Sequence, residues 1–274
     1  MDFKKLPLSN SFMFGEVMRN EDLCKLFIEE LLHCKIAKLQ FINKESDMAD
    51  SPYNHGIRLD VYLADERGTH YDIEMQNTAE SLERRSRYYQ SGIDRRILEK
   101  GADYDELPES FIIFICNYDP LGFGLAKYER VSMFKGTNRE YNDGSHVIFL
   151  NIHYTDASMV SPGISEYLDY IRSNDDNIPF NSQLAKEARD LTIKVRNDEE
   201  KEVSFMTYQQ KMRDVFKEGL SKGQSEGKSE ELSANVHSMW KKGLSVPEIA
   251  NLLDKTNEVI QSIVSNFTTP VQPN

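Results

Sequence analysis

Residues 56–76 read GIRLDVYLADERGTHYDIEMQ. The alternation predicts two strands, 57–64 and 69–76, joined by a tight turn at Asp65-Glu66-Arg67-Gly68. In the first, Leu59, Val61 and Leu63 point one way and Asp60 and Tyr62 the other. In the second, Tyr71, Ile73 and Met75 share one face, while Asp72, Glu74 and Gln76 share the opposite one. Such a hairpin sets Asp60 and Glu74 side by side on its polar face. Neighbouring carboxylates repel, and a divalent cation relieves the repulsion. An oxygen-rich site of this kind suits Mg²⁺, which keeps several waters and takes few protein carboxylates. A water held there can become a nucleophile at phosphorus. Taken alone, the pattern also describes a hairpin with a solvated acidic face.

Asp60 is followed, after residues 61–73, by Glu74-Met75-Gln76. This resembles the PD-(D/E)xK nuclease superfamily, in which an Asp on one strand and an E-x-K on the next hold the metal. Gln76 stands where Lys is usual. The wider set, RLDVY at 58–62, YDIEMQ at 71–76 and RRSRYYQS at 84–91, resembles one branch in particular. That branch is the Rpn family of recombination-promoting nucleases, also described as putative transposases, in which E-x-Q is usual. The resemblance covers roughly residues 5–170 and the helical tail more loosely.

The resemblance implies an α/β fold with a restriction-endonuclease-like core, a central mixed sheet flanked by helices, and a helical C-terminal region. It implies a metal-dependent DNA endonuclease linked to recombination or to mobile-element or phage biology. Mg²⁺ or Mn²⁺ would be held by Asp60, Glu74 and the Met75 backbone carbonyl, with Glu16 of the first helix a further candidate. Gln76 would orient the attacking water or stabilise the phosphorane. Arg85 and Tyr89 belong to the recurring pattern, with Arg85 on a flanking phosphate. Because Lys is common at this position in the superfamily, Gln76→Lys is expected to keep or raise activity.

Charge qualifies this reading. Against 45 acidic residues stand 33 basic ones, a net charge of −12. That opposes tight, salt-resistant adhesion to nucleic acid, which favours basic proteins. A local basic face is nevertheless present. A helix is expected over 82–100, with Leu82, Tyr89, Ile93 and Ile97 on one side and Gly101 at its end. Arg84, Arg85, Arg87, Arg95 and Arg96 surround that apolar stripe. Arg84, Arg85, Arg87 and Tyr89 are the candidates for phosphate and DNA contact. The competing reading is a solvated face paired with Glu80, Glu83, Asp94 and Glu99.

Cys24, Cys34 and Cys116 sit in apolar contexts and form no metal motif, as expected of reduced thiols in a cytoplasmic protein. Neither a signal-peptide pattern nor an apolar run of membrane-spanning length is present.

Around the hairpin, helices are expected at about 11–18 and at 21–32, the second capped by Asn20. A first strand is expected within 36–46, then a loop at 47–56 that contains His55. The unbroken apolar run FIIFICNY at 111–118 reads as a central strand buried on both faces. HVIFLN at 146–151 reads as another, and a short helix follows at about 165–172. The polar stretch 173–182 suggests a division into a nuclease-like core (1–175), a helical linker with glycines at 219, 223 and 227 (176–230), and a small helix-turn-helix-like tail (231–274). Residues 183–217 are expected as one long or bent helix. The glycines suit a weak helix or a hinge, since each costs about 1 kcal/mol in a helix interior. In the tail, Val259, Ile260, Ile263 and Val264 are expected to pack on Trp240, Ile249 and Leu253. Its last helix, 258–266, has no Lys or Arg, which disfavours DNA reading and favours self-association. A second functional class therefore stands beside the nuclease: a weak or inactive nuclease-fold protein that binds protein or DNA. A third, weaker one is a transcriptional regulator acting through the tail.

Overall fold

The computed structural model describes residues 2–42 and 60–268. His55 and the expected strand start at 57–59 lie outside them. Strands β1 (Leu39–Phe41), β2 (Val61–Asp65), β3 (His70–Gln76), β4 (Ser110–Cys116), β5 (Lys127–Glu129) and β6 (Ser145–Asn151) make one sheet in the order β1-β2-β3-β4-β6-β5. β2 and β3 form the expected antiparallel hairpin. Its turn is tied by Asp65, whose Oδ1 accepts from the Arg67 and Thr69 amides at 2.9 Å each. Gly68 there takes a φ of +84°, a conformation that favours glycine. β4 runs parallel to both β3 and β6, so the sheet is mixed and β4 is central. Ile112 to Cys116 are all fully buried, as the unbroken apolar run implies. β5 has only three residues and lies at the sheet edge, too short to leave an alternation in sequence.

Helices α1 (Ser11–Val17) and α2 (Glu21–Leu32) start at the expected positions, α2 behind its expected cap Asn20. Asn10 accepts from the Phe12 and Met13 amides, and Asn20 from that of Leu23. Helix α3 (Leu82–Ile97) connects β3 to the parallel β4 and covers one face of the sheet. Its Leu82, Tyr89 and Ile93 pack with Tyr62, Ile112, Phe114, Val147 and Phe149. Helices α4 (Pro162–Ser173) and α5 (Gln183–Arg196) pack on each other, and both pack on α2.

The expected helix over 183–217 is broken at Asn197–Asp198. There the Asp198 carboxylate accepts from the Glu200 and Lys201 amides and starts a new helix, α6 (Glu199–Lys241). The expected boundary at 175 falls between α4 and α5. Leu184, Ala185 and Ala188 of α5 are buried, and Arg196 is 7% exposed. Arg196 Nε donates to Leu6 O at 3.0 Å and its Nη1 pairs with Asp176 at 2.7 Å. Helix α5 thus completes the core, and the compact units are Met1–Val203 and Ser204–Asn274. A polar linker is visible in sequence, but the helix beyond it folds back onto what precedes it.

In the second unit α6 runs unbroken through Gly219, Gly223 and Gly227, so the segment is a helix and not a hinge. Helices α7 (Val246–Leu253) and α8 (Asn257–Thr268) close a small core of Val236, Ile249, Ala250, Ile260 and Val264. Ser245 and Glu248 form a capping box that starts α7. Trp240 and Val259, expected in this core, are 38% and 40% exposed. Each lies one residue from an inward position, Met239 and Ile260 respectively, and one step turns a helical side chain by about 100°.

Candidate active site

The β2–β3 register pairs Val61 with Ile73 and Tyr62 with Asp72, which sets Asp60 opposite Glu74. The two residues meet as the alternation predicts. The Asp60 amide donates to Glu74 Oε1 at 2.8 Å, and the Met75 amide donates to Asp60 Oδ2 at 3.3 Å. A strand residue's N–H and C=O point to the same edge. The Met75 carbonyl therefore shares the edge that Asp60 approaches.

The face carrying these groups is not solvated. Asp72, Glu74 and Gln76 are 0%, 2% and 5% exposed. The physical reason is topological: β4 pairs in parallel with β3, and the crossover helix α3 needed for a parallel pair lies over this face. Met75 and its neighbours on the other face are buried too. A strand that alternates in sequence is thus buried on both sides.

Burial sets the electrostatics. Loss of water pushes the Glu74 carboxyl up to about 8, and the nearby Asp60 charge pushes the same way. Asp72 is raised well above the usual carboxylate range, first by burial, then by Glu74 and Asp60. Both Asp72 carboxylate oxygens are buried and accept no hydrogen bond. Burial and mutual repulsion therefore favour a retained proton within the Asp72–Glu74 carboxyl pair. Asp72 stands on the expected face in sequence, but nothing in the sequence shows that it is sealed there.

Arg85 organises the remaining groups. Its Nη2 donates to Glu74 Oε2 at 2.9 Å, its Nη1 to Gln76 Oε1 at 2.6 Å, and its Nε to the Tyr89 hydroxyl at 2.8 Å. The guanidinium carbon lies 5.8 Å from the centre of the Phe114 ring. Gln76 Nε2 in turn donates to Thr78 O at 2.6 Å. The Gln76 amide is therefore engaged at both ends. Tyr89, 8% exposed, holds Arg85 from below and does not present a surface to DNA. Arg84 and Arg87, by contrast, are exposed and form no ion pair among the described residues. Glu16 is bound to Arg19 and, at 2.6 Å, to Lys201 Nζ.

A polar row that sequence reasoning missed crosses the ends of β3, β4 and β6. Asn77 Nδ2 donates to Ser9 O at 2.8 Å, Asn117 Nδ2 to Asn77 Oδ1 at 3.1 Å, and His153 Nε2 lies 2.9 Å from Asn117 Oδ1. Asn77 and Asn117 follow their strands directly and His153 comes two residues after β6, and only the pairing of β4 with β3 and β6 aligns them.

The model of the PD-(D/E)XK nuclease family transposases matches residues 11–171, more than half of the chain. The chain belongs to this family. No curated protein and no solved structure matches it. The matched span includes every strand and α3, and so the whole Asp60–Glu74–Gln76–Arg85 cluster. The family is one of nucleases, which generally use divalent metal ions. No cage of three or more His, Cys, Asp or Glu side chains exists among the described residues. The donors at this site still fit a hard cation. They are carboxylate oxygens, they repel each other, and the Asp72 oxygens have no protein partner. Among the described residues no helix is long and apolar enough to cross a membrane.

Proposed function

We propose that this protein is a Mg²⁺- or Mn²⁺-dependent DNA endonuclease that hydrolyses phosphodiester bonds. The observation that carries the reading is the Asp60–Glu74 pair, hydrogen-bonded across the β2–β3 register and buried beside Arg85. Asp60, Glu74 and the Met75 carbonyl would hold the cation, which when bound activates a water and offsets charge at phosphorus. Asp60 and Glu74 supply the negative charge that attracts it. Gln76, held by Thr78 and Arg85, orients the water at the C-terminal end of β3. Arg84 and Arg87, exposed and without an ion pair among the described residues, offer guanidinium groups to the DNA backbone on the same helical turn as Arg85. Glu16 is a further candidate ligand, after release from Lys201.

The supporting context is a role in recombination or in mobile-element or phage biology, inside the cytoplasm, with self-association through the helical C-terminal unit. Met212, Val215, Phe216 and Leu220 are all exposed on α6, an apolar surface that a partner chain would cover. The competing reading is a nuclease fold that binds without cutting. It draws on the Arg85–Glu74 ion pair, which already offsets the Glu74 charge. The test is nicking of supercoiled plasmid in Mg²⁺, Mn²⁺ or EDTA, comparing wild type with Asp60→Ala and Glu74→Ala. Cleavage that needs the metal and disappears in both variants supports the assignment. Undiminished cleavage in both variants refutes it.

A further inference from the structure

We propose that Arg85 supplies the cationic group of this site, delivered from α3 to the place where Gln76 leaves β3 neutral. The proposal rests on the nuclease reading above and assigns Arg85 a role at the reacting phosphate instead of at a flanking one.

The geometry is that of a fixed group. Three donors of one guanidinium go to three acceptors: Gln76 at 2.6 Å, Glu74 at 2.9 Å and Tyr89 at 2.8 Å. Those bonds fix both the position and the plane of the fork. Arginine has five N–H donors, so two remain after these contacts. The side chain is 27% exposed, so the remaining donors reach solvent on the open side of the cluster. Glu80 approaches that side, but its carboxylate stays 3.7 Å from Nη1 and is itself 56% exposed. A phosphate oxygen arriving at Asp60 and Glu74 meets a pre-placed, permanently charged donor pair. Arginine suits this because its fork matches two phosphate oxygens and does not lose its proton on burial.

The Gln76 contact says where this charge lies. Gln76 Oε1 is in direct hydrogen-bond contact with the guanidinium. A lysine at position 76 would bring its ammonium to the same spot, so the two arrangements are alternatives. This reverses the expectation for Gln76→Lys. In the wild-type background the new ammonium would face the Arg85 guanidinium, lose the Gln76 bond and gain nothing. In an Arg85→Gln background it would restore the missing charge.

The test compares wild type, Arg85→Gln, Arg85→Lys, Gln76→Lys and the double variant Arg85→Gln/Gln76→Lys. Each is read by plasmid nicking in Mg²⁺, by anisotropy of a labelled DNA duplex in Ca²⁺, and by Mg²⁺ calorimetry. Arg85→Gln is expected to slow nicking about 100-fold, the loss typical of one preorganised donor. It should also weaken duplex binding while Mg²⁺ uptake stays or tightens. Arg85→Lys should retain more of both functions than Arg85→Gln. Gln76→Lys alone should not exceed wild type, whereas the double variant should recover at least about ten-fold of the loss in nicking. Wild-type nicking in Arg85→Gln overturns the proposal. So does a double variant no better than Arg85→Gln in both nicking and duplex binding. If wild type binds duplex without cutting, the nuclease reading fails alone. Duplex affinity then decides, and an Arg85→Gln protein that binds like wild type overturns the role of Arg85. A wild type that neither cuts nor binds overturns both.

Discussion

Asp72→Asn should stabilise this protein at neutral pH. Asp72 is fully buried, its oxygens accept no hydrogen bond, and Glu74 and Asp60 add negative potential. The folded protein therefore holds the Asp72 proton to higher pH than the unfolded chain, in which an Asp ionises near pH 3.9. Between these limits the native state binds more protons than the unfolded state, so stability falls as pH rises. Each pH unit over which the folded protein alone keeps this proton costs about 1.4 kcal/mol of stability. Asparagine has nearly the same shape, never ionises, and donates toward Glu74 as the protonated acid does. The expected gain is on the order of 1–4 kcal/mol at pH 7, shrinking as pH falls to 4, where the unfolded Asp is also regaining its proton. The assay is urea unfolding in EDTA at both pH values, followed by far-UV circular dichroism. Tryptophan fluorescence is unsuited, since Trp240 belongs to the C-terminal unit. A variant no more stable than wild type at pH 7 would refute the reasoning. So would a gain that is the same at pH 4, which would point to packing.

Two further outcomes follow from the division of the chain. Arg196→Met should cost the first unit about 3–5 kcal/mol in urea unfolding, because it leaves Asp176 and the Leu6 carbonyl without their buried partner; a negligible change would return the boundary to 175. Isolated 204–274 should keep the core around Val236 and Ile260 and self-associate in analytical ultracentrifugation. A strictly monomeric fragment with submicromolar preference for one DNA sequence in gel shifts would instead support the regulator reading.

What the sequence by itself determined is mostly local. Alternation at 57–76 set the hairpin, and through its register the meeting of Asp60 with Glu74. Asn20 marked a helix start because a cap is chosen within a few residues of chain. The unbroken apolar run at 111–118 announced a strand covered on both faces. What only the tertiary structure decided concerns partners distant in sequence. The acidic face of β3 looks solvated in one strand, and it is buried because a parallel neighbour requires a crossover helix above it. That burial pushes the carboxyls of both Asp72 and Glu74 up from the usual range. The arginines of α3 are alike in sequence, yet within one helical turn Arg85 is locked on Glu74 and Gln76 while Arg84 and Arg87 stand in solvent. The polar stretch before α5 looks like a domain border. Whether it separates or folds back depends on what the next helix buries, and α5 buries Leu184, Ala185 and Ala188 within the first unit. Local pattern records which way a side chain points along its own strand or helix, and burial and charge depend on what packs against it.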